Sequence, residues 1–374
     1  MYWLPAILIL PYVFILLKIY GSLLQLKTFK VSADPETFVS VVIACRNEQK
    51  NLTALIKSIS LQNYSKHLFE VIIVDDNSID KTNEIASGFT PVGNISTINN
   101  KGKGKKQALR AGIKAAKGNL IITTDADCRM GRNWIRTIAA FYEMNKPDMI
   151  ICPVKLESAP GFFGGFQELE FMSLQGITAG SAITKEATMC NGANLAFERE
   201  VYFNHAANLN YEINSGDDIF LLHSLKRERQ SKILWLESPD SLVTTGSSST
   251  LLSFLKQRGR WLSKGKAYKD WFTIILGIAT FFTIILQISY MIGGLINPDL
   301  ILVFLSIFVL KSVPDFLILL NTSSRYGKGE LMWWFLPVQV VYPLYVLSVI
   351  ISAIRNPKFK IQNHKINSPS PIET

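Results

Sequence analysis

The chain has 374 residues, of which 48% are hydrophobic and 18% charged, and its formal net charge is +10. This hydrophobic share is high for a purely soluble protein, and the length allows one substantial soluble domain plus membrane helices. The four scattered cysteines show no Cys-x-x-Cys spacing, which argues against a disulfide framework or a zinc site. Much of the positive charge lies near predicted membrane ends or in one lysine cluster, so it suits anionic lipids and phosphates and does not require nucleic acid.

The N-terminal segment, residues 1–26, is predicted to be a transmembrane anchor. It is apolar from Trp3 to Leu26 apart from one lysine and one glutamine, and this length suffices to cross a bilayer of roughly 30 Å as a helix. A basic first region and a small-residue cleavage site are both lacking, so an uncleaved anchor is favoured over a secretory signal. Lys27 and Lys30 mark the following end as cytoplasmic.

Strand and helix signals then alternate through residues 36–246, the predicted soluble domain. Predicted strands cover residues 38–45, 70–74, 94–98 and 119–124, and predicted helices cover 47–61, 79–87 and 105–116. This alternation predicts an α/β fold with a mostly parallel sheet, whose ligands bind at the carboxyl ends of the strands. A further helical pattern at Gly161–Gly176 fits an interfacial helix and plain core packing equally well.

Three apolar stretches at residues 271–295, 300–320 and 331–354 predict a C-terminal membrane region, 271–354, with about three spans. The positive-inside rule conflicts with this count, because three complete spans would place the basic tail, 355–374, outside. One alternative stays open: Pro337 and Pro343 could bend the last stretch into a re-entrant hairpin.

Two acidic clusters follow predicted strands. Asp75 and Asp76 end one strand, and Asp125-Ala126-Asp127 ends another. The carboxylates of Asp125 and Asp127 can hold a hard divalent cation with a diphosphate completing its shell. A carboxylate of the Asp75-Asp76 cluster can accept a hydrogen bond from a pyrimidine imide. Each cluster alone could instead be a solvated turn with a helix cap. Because parallel strands bring their carboxyl ends to one edge, we expect the two clusters to converge and to form a nucleotide site.

A lysine cluster, Lys101 to Lys106, could be a solvated loop. Gly104 and Lys105 at a predicted helix start would nevertheless place backbone N–H groups and a cation beside phosphate. The spacing required for a Walker A loop is absent.

Two further motifs lie nearer the membrane region. Gly216-Asp217-Asp218 precedes a helix predicted over Ile219–Lys226 and could be only its N-terminal cap. Gln257, Arg260 and Trp261 lie in residues 247–267, predicted as an interfacial amphipathic helix, and combine anion contact with aromatic stacking.

Taken together, the motifs from about Phe38 to Lys264 resemble those of family 2 inverting glycosyltransferases with the GT-A fold. The likeness is to the membrane-bound branch that includes cellulose, chitin and hyaluronan synthases. It implies that residues 41–48 are the first strand and nucleotide-binding loop. The donor nucleotide residues that it implies are Ala44, Arg46, Glu48, Asp76, Lys105 and Asp125.

The resemblance also implies a Mg²⁺ or Mn²⁺ cofactor held by Asp127 and Asp125. It places Asn194 at the acceptor pocket. It assigns acceptor and diphosphate contacts to the motif with Gln257, Arg260 and Trp261.

The catalytic base implied by the resemblance is Asp218, with Asp217 standing where the family usually has glutamate. An inverting transfer needs one carboxylate to take the acceptor hydroxyl's proton as that oxygen attacks the anomeric carbon. The metal and cations stabilise the departing diphosphate.

The resemblance thus implies transfer from a nucleotide diphosphate sugar, by family habit UDP-linked, to a lipid-linked or glycan acceptor. The expected location is a bacterial inner membrane with the catalytic domain in the cytosol and no nucleic-acid partner. A single transfer or short extension is favoured over polymer extrusion. An inactive scaffold of the same fold and a metal-dependent nucleotidyltransferase remain as alternatives.

Overall fold

The computed structural model describes residues 7–89, 93–213, 215–228 and 230–355. Ten strands in these residues form one large and one small sheet. In chain order the strands are β1 (Val39–Cys45), β2 (Phe69–Asp75), β3 (Ile95–Asn99), β4 (Leu120–Asp125), β5 (Arg129–Met130), β6 (Met149–Ile151), β7 (Val154–Glu157), β8 (Leu195–Glu198), β9 (Ile233–Trp235) and β10 (Val243–Gly246).

Helices cover both faces of the large sheet and form the C-terminal region. In chain order they are α1 (Leu10–Leu23), α2 (Leu52–Ser60), α3 (Thr82–Gly88), α4 (Lys105–Ala115), α5 (Trp134–Asn145), α6 (Phe162–Ile183), α7 (Arg199–Asn204), α8 (Asp217–Lys226), α9 (Leu251–Ser263), α10 (Trp271–Ile296), α11 (Asp299–Arg325) and α12 (Phe335–Arg355).

The seven-stranded sheet has the order β3-β2-β1-β4-β8-β6-β9. Its first four strands are parallel, and β8 runs antiparallel to both β4 and β6. The smaller sheet has the order β5-β10-β7. The mostly parallel α/β class predicted from the sequence is therefore confirmed, with the antiparallel β8 as an addition that the sequence pattern did not indicate.

The strand register brings the two acidic clusters to one edge. Cys45 at the end of β1 lies opposite Asp75 in β2, and Ala44 lies opposite Asp125 in β4. Because all three strands run in the same direction, the loops that follow them leave the sheet side by side. The predicted convergence of these clusters is thus present in the structure.

The first predicted helix begins later than expected. Its pattern suggested a start at residue 47, but α2 begins at Leu52. Asn47 has a left-handed backbone with φ of 57°, and its N–H donates to Ser78 Oγ over 3.0 Å. The next N–H, from Glu48, donates to Thr82 Oγ1 over 2.7 Å. These bonds hold residues 47–51 as a loop against the turn that follows β2.

Helix α4 packs closely on the sheet. A β-carbon added at Gly112 would lie 2.4 Å from Val42 Cγ1 and 2.9 Å from Val74 Cγ2. Only glycine permits this approach without displacing strand side chains. The packing fixes the start of α4, and hence Lys105, relative to the ends of β1 and β2.

Helix α6 is longer than the predicted segment at 161–176, and most of its residues are buried. It packs against α1, α11 and β7. Of the two alternatives for this segment, core packing describes the observed burial.

Three C-terminal helices are long and apolar enough to cross a membrane: Trp271–Ile296, Asp299–Arg325 and Gly329–Arg355. The last continues through Pro343 after a short 3₁₀ turn at Gly329–Trp334. A re-entrant hairpin is therefore not formed there. The predicted tail lies outside the described residues except for Arg355.

Helix α1 is a shorter apolar helix of 14 residues. It packs against α6 and α11, and Arg325 donates to the carbonyl oxygens of Leu23 and Leu26 over 3.2 and 3.4 Å. Residues 1–6 lie outside the described part, so membrane crossing by residues 1–26 stays a prediction.

Candidate active site

The loop after β2 is joined to the loop before α4 through Asp76. Its carboxylate is buried and accepts hydrogen bonds from Asn100 Nδ2 at 2.7 Å and from the Gly104 N–H at 2.9 Å. Arg46 Nη1 lies 4.0 Å from the same carboxylate. Gly104 has a positive φ of 96°, which favours glycine. Asp76 therefore positions the N-terminus of α4, the end at which backbone N–H groups favour an anion.

Glu48 faces the same edge from the end of β1. Burial raises the pKa of its carboxyl, and the carboxylates of Asp127 and Asp125 add to the rise. Asn51 Nδ2 donates to Glu48 Oε2 over 2.8 Å and counteracts part of it. Ala44 is half-buried beside Asp125. The predicted donor residues of this strand thus lie around the Asp125–Asp127 pair.

Lys105 connects the donor edge with the second acidic pair. Its ammonium group bonds directly to Asp125 Oδ1. Burial alone would lower the pKa of Lys105, but surrounding carboxylates, with Asp125 contributing most, outweigh burial and raise it. Asp217 and Asp218 are the other two contributors. One cation is therefore within electrostatic reach of residues from β4 and from α8.

The carboxylates of Asp125 and Asp127 suit a divalent cation. Burial and the Asp125 charge raise the pKa of Asp127, and the Thr245 hydroxyl donates to Asp127 Oδ2 over 3.0 Å. A cation with a preference for oxygen ligands would relieve this carboxylate repulsion. No group of three or more His, Cys, Asp or Glu side chains that could hold a metal occurs among the described residues. The pair fits a Mg²⁺ or Mn²⁺ whose shell a diphosphate and water complete.

Asp217 and Asp218 form the first turn of α8 and have opposite pKa shifts. Burial and the neighbouring Asp218 carboxylate raise the pKa of Asp217. Burial opposes ionisation of Asp218 as well, yet Lys264 and nearby backbone N–H groups lower its pKa. Those N–H groups belong to Ile219, at 2.8 Å from Oδ1, and to Gly192, at 3.0 Å from Oδ2. The surroundings of Asp218 thus favour its ionised form, which is the form that can accept a proton.

The Gly192–Asn194 turn supports Asp218, but the Asn194 side chain points into the protein. It is fully buried and donates to the carbonyl oxygens of Pro153 and Ser241 over 2.7 and 2.8 Å. Its Oδ1 accepts from the Trp134 indole over 2.9 Å. The hydrogen-bonding groups of Asn194 are thereby used inside the protein. It fixes the turn that presents the Gly192 N–H, and its side chain has no group left for an acceptor.

The motif helix α9 uses its two arginines differently. Arg260 is exposed, whereas Arg258 is buried and bonds to both carboxylate oxygens of Glu170, with its Nη2 at 2.6 Å from Oε2. Arg258 Nη1 also donates to Gln257 Oε1 over 2.7 Å. Trp261 is half-buried with the Arg258 guanidinium 4.2 Å from its ring centre. Arg258 therefore orients two of the motif residues.

Two site residues were missed by sequence reasoning. Lys264 lies in the segment predicted as an interfacial helix, yet it lowers the pKa of Asp218, and a β-carbon on Gly216 would lie 3.0 Å from its Cδ. Arg258 lies in the same segment and is buried. The spacing of basic residues on α9 predicts a charged helix face. It does not predict that Arg258 is buried, because that burial depends on Glu170, 88 residues earlier.

A family model described as Glycosyl transferase family 2 matches residues 40–203. Residues 40–203 thus match the family 2 glycosyltransferase domain. This domain includes β1 to β8, the Asp125–Asp127 pair and the Gly192–Asn194 turn. It ends before Asp217, so the second acidic pair and the α9 motif lie outside the match.

Two curated relatives are similar over parts of the chain. Undecaprenyl-phosphate 4-deoxy-4-formamido-L-arabinose transferase of Pseudomonas savastanoi pv. phaseolicola is 33% identical over 118 residues, 29% of this chain and 34% of the relative. Beta-monoglucosyldiacylglycerol synthase of Nostoc sp. is 24% identical over 249 residues, 64% of this chain and 51% of the relative. The chain therefore matches only a third to a half of the length of these relatives.

The solved structure of mannosyltransferase PcManGT from Pyrobaculum calidifontis, in complex with GDP-Man and Mn²⁺, is similar with a TM-score of 0.56. The match covers 95% of this chain and 99% of that one at 16% sequence identity. The family 2 domain thus has the GT-A fold, and three C-terminal helices that could span a membrane follow it.

Proposed function

We propose that this protein is a membrane-associated inverting glycosyltransferase of the cellulose, chitin and hyaluronan synthase-like branch. It transfers a sugar from a nucleotide diphosphate sugar, with UDP as the favoured carrier, to a lipid-linked or glycan acceptor. The observation that carries the proposal is the position of Lys105, which bonds to Asp125 and is within electrostatic reach of Asp217 and Asp218. The Lys105 ammonium thus interacts both with the sheet edge suited to the donor and with the aspartate pair that contains the proposed base.

The donor is proposed to lie across the ends of β1, β2 and β4. Ala44, Arg46, Glu48 and Asp76 would contact the nucleoside. Asp76 already holds Gly104, so it also orients the α4 N-terminus toward phosphate. The name of the similar mannosyltransferase structure includes a guanosine nucleotide, so GDP-linked sugars belong in any donor panel beside UDP-linked ones.

Asp125 and Asp127 would hold Mg²⁺ or Mn²⁺, which supplies positive charge to the departing diphosphate. Lys105 can move from Asp125 to a phosphate oxygen when the metal binds, because both are anions within the same site. Arg260 and Gln257 are proposed to contact the diphosphate from α9, and Trp261 an acceptor sugar or headgroup.

Asp218 is proposed to be the general base. It takes the proton of the acceptor hydroxyl while that oxygen bonds to the anomeric carbon, and the bond from that carbon to the diphosphate oxygen breaks. Attack from the opposite face inverts the anomeric configuration. The raised pKa of Asp217 favours its protonated form. In that form Asp217 does not repel the Asp218 carboxylate.

The catalytic domain is proposed to face the cytosol of a bacterial cell, with α10 to α12 in the inner membrane. Lys27 and Lys30 flank α1 on the domain side and agree with this orientation.

The test is nucleoside diphosphate release by the detergent-solubilised full-length protein. A panel of UDP-linked and GDP-linked sugars is supplied with Mg²⁺ or Mn²⁺ and a membrane lipid extract. We expect release from one donor, dependence on the metal, and loss of at least about 10²-fold in Asp218→Asn, typical for removal of a general base. Asp34→Asn is the matched control, because Asp34 is an exposed partner of Arg136 and such surface pairs contribute little.

Release by Asp218→Asn at the wild-type rate would contradict the assignment of the base. No release from any donor by folded protein would contradict the transferase proposal and favour a scaffold. Release of pyrophosphate in place of a nucleoside diphosphate would indicate a nucleotidyltransferase.

A further inference from the structure

An interhelical cavity of about 400 Å³ lies between α1, α6, α9 and the three C-terminal helices. Its walls are mainly apolar, with Leu174 of α6, Leu276 of α10, Ile318 of α11 and Val346 of α12 on four sides. A volume of this size lies in the range of small-ligand sites, about 300–1,000 Å³. Apolar walls on helices suited to a membrane favour a hydrocarbon occupant over a glycan, which would need many polar partners.

The polar groups of this cavity are already paired. Glu170 and Asp315 are its charged lining residues among those the structure describes. Glu170 bonds to Arg258, and Asp315 bonds to Lys311 over 2.7 Å. Lys311 also donates to Gln339 over 2.8 Å. Each carboxylate thus has its own cation, and the cavity wall offers no excess positive charge to a phosphate.

One short segment of chain joins the cavity wall to the proposed base. Thr188 and Met189 line the cavity. Three residues after Met189, the Gly192 N–H donates to Asp218 over 3.0 Å. From the other side, Leu262 of α9 lines the cavity directly after Trp261 of the motif. A chain held in the cavity can therefore present its polar end near Asp218.

The need for a base discriminates between acceptor headgroups. A phosphate monoester carries about −1.5 to −2 charges at neutral pH, so its oxygen is already ionised and needs no base. A hydroxyl group does need a base, which is the role proposed for Asp218. The cations Lys264 and Lys105 also act on Asp218, so the distinction rests on proton transfer and not on repulsion by the acidic pair.

We propose that the interhelical cavity binds the hydrocarbon chain of a neutral, hydroxyl-bearing acceptor lipid of the glycerolipid class, and that it selects this lipid over polyprenyl phosphates. The acceptor role rests on the proposed transferase function, whereas the binding preference can be measured without turnover.

Gly277 provides a variant that fills the cavity. On α10 the lining residues Thr273, Leu276, Gly277, Thr280 and Phe281 have the spacing of one helix face. A β-carbon at Gly277 would meet nothing within 4 Å. Gly277→Phe therefore places a ring in the cavity without a backbone clash, and it replaces glycine by a better helix former.

The matched control is Gly21→Phe on α1. Gly21 also has nothing within 4 Å of an added β-carbon, is exposed, and does not line the cavity. The two variants make the same chemical change in two apolar helices, so they separate cavity filling from general effects on the protein.

The experiment is photo-crosslinking of the full-length protein in detergent with a diacylglycerol that carries a diazirine on one acyl chain. We expect adducts on the helices that line the cavity, which are α1, α6, α9 and α10 to α12, removed by excess dioleoylglycerol. Undecaprenyl phosphate should compete at least about tenfold more weakly, and Gly277→Phe should lower labelling about tenfold through steric exclusion. Gly21→Phe should label as wild type does.

Adducts elsewhere, equal labelling of Gly277→Phe and wild type, or stronger competition by undecaprenyl phosphate would overturn the inference. Nucleoside diphosphate release is measured on the same preparations. The expected labelling without release from any donor would overturn the transferase function and the acceptor role but leave the lipid site standing. Release without cavity labelling would overturn the lipid site and leave the transferase function standing.

Discussion

The buried pair of Arg258 and Glu170 should be strongly coupled in stability. Both side chains are at most 7% exposed, and the guanidinium makes three contacts of 2.6 to 3.1 Å with the carboxylate. Removing one partner leaves an uncompensated buried charge, which costs about 3–5 kcal/mol. We therefore expect Arg258→Met and Glu170→Leu each to lower the free energy of unfolding by this amount.

The double variant should be more stable than either single one, because it removes both charges. Its remaining cost is the loss of partners for Gln257 and for Tyr345, whose hydroxyl donates to Glu170 over 2.8 Å. At ~1 kcal/mol for each lost hydrogen bond, the double variant should lie about 2 kcal/mol below wild type. The sum of the two single costs would be about 6–10 kcal/mol.

Thermal unfolding of the four proteins in one detergent measures this cycle. Each single variant should melt on the order of 5–10 °C below wild type, and the double variant should recover most of that loss. Additive losses in the double variant would refute the argument that the pair is a compensated buried charge. Nucleoside diphosphate release should fall in Arg258→Met and in the double variant and should not recover with stability, because Gln257 loses the guanidinium that orients it.

Three further outcomes are expected. Gly112→Ala should lower the free energy of unfolding by about 1–3 kcal/mol, measured by thermal or chemical unfolding, because its β-carbon would lie 2.4 Å from Val42 Cγ1. Lys264→Met should move the acidic limb of the pH profile of nucleoside diphosphate release to higher pH, because Lys264 lowers the pKa of Asp218. His223→Phe should reduce the loss of stability on acidification. Burial lowers the pKa of His223 from 6.5 to about 4 in the folded protein. Between pH 6.5 and about 4 this histidine is therefore protonated in the unfolded chain but not in the folded one. The wild type should lose up to ~3 kcal/mol as pH falls through that window.

Each of these has a control on the same chain. Gly265→Ala adds a β-carbon with nothing within 4 Å, so a similar loss there would contradict the packing argument for Gly112. Lys266→Met removes an exposed cation, and an equal shift of the acidic limb would show that Lys264 acts only through net charge. His67→Phe replaces an exposed histidine, and the same gain at low pH would refute the role of burial.

The sequence predicted the parts of the fold that depend on local pattern. Continuous apolar runs marked β1, β2 and β4, and the direction rule for parallel strands then brought Asp75 and Asp125 to one edge. Helix starts were less predictable. Residues 47–51 have a helical pattern, but the backbone N–H groups of Asn47 and Glu48 donate to Ser78 and to Thr82 at the start of α3.

Side-chain roles that depend on distant partners could not be read from a motif. Arg258 and Arg260 are two residues apart on one helix, and only the position of Glu170 decides that Arg258 is the buried one. The Asn194 side chain is likewise held inside the protein by hydrogen bonds to two carbonyl oxygens and an indole from other segments. The site predictions that remain concern side chains that can still take a further partner. Asp218 is the main one, because its carboxylate accepts two backbone N–H groups and has acceptor capacity left.

The candidate site is connected to the three C-terminal helices through both α8 and α9. Helix α8 carries Asp218 in its first turn and Lys226 in its last, and Lys226 Nζ lies 2.7 Å from Asp270 Oδ1 at the cap of α10. Helix α9 is held through Arg258 to Glu170, which also accepts from Tyr345 of α12. The base and the acceptor motif are thus fixed to helices suited to the bilayer. On the proposed function, the depth of a lipid hydroxyl in the membrane sets its distance to Asp218, so the membrane helices take part in substrate selection as well as in anchoring.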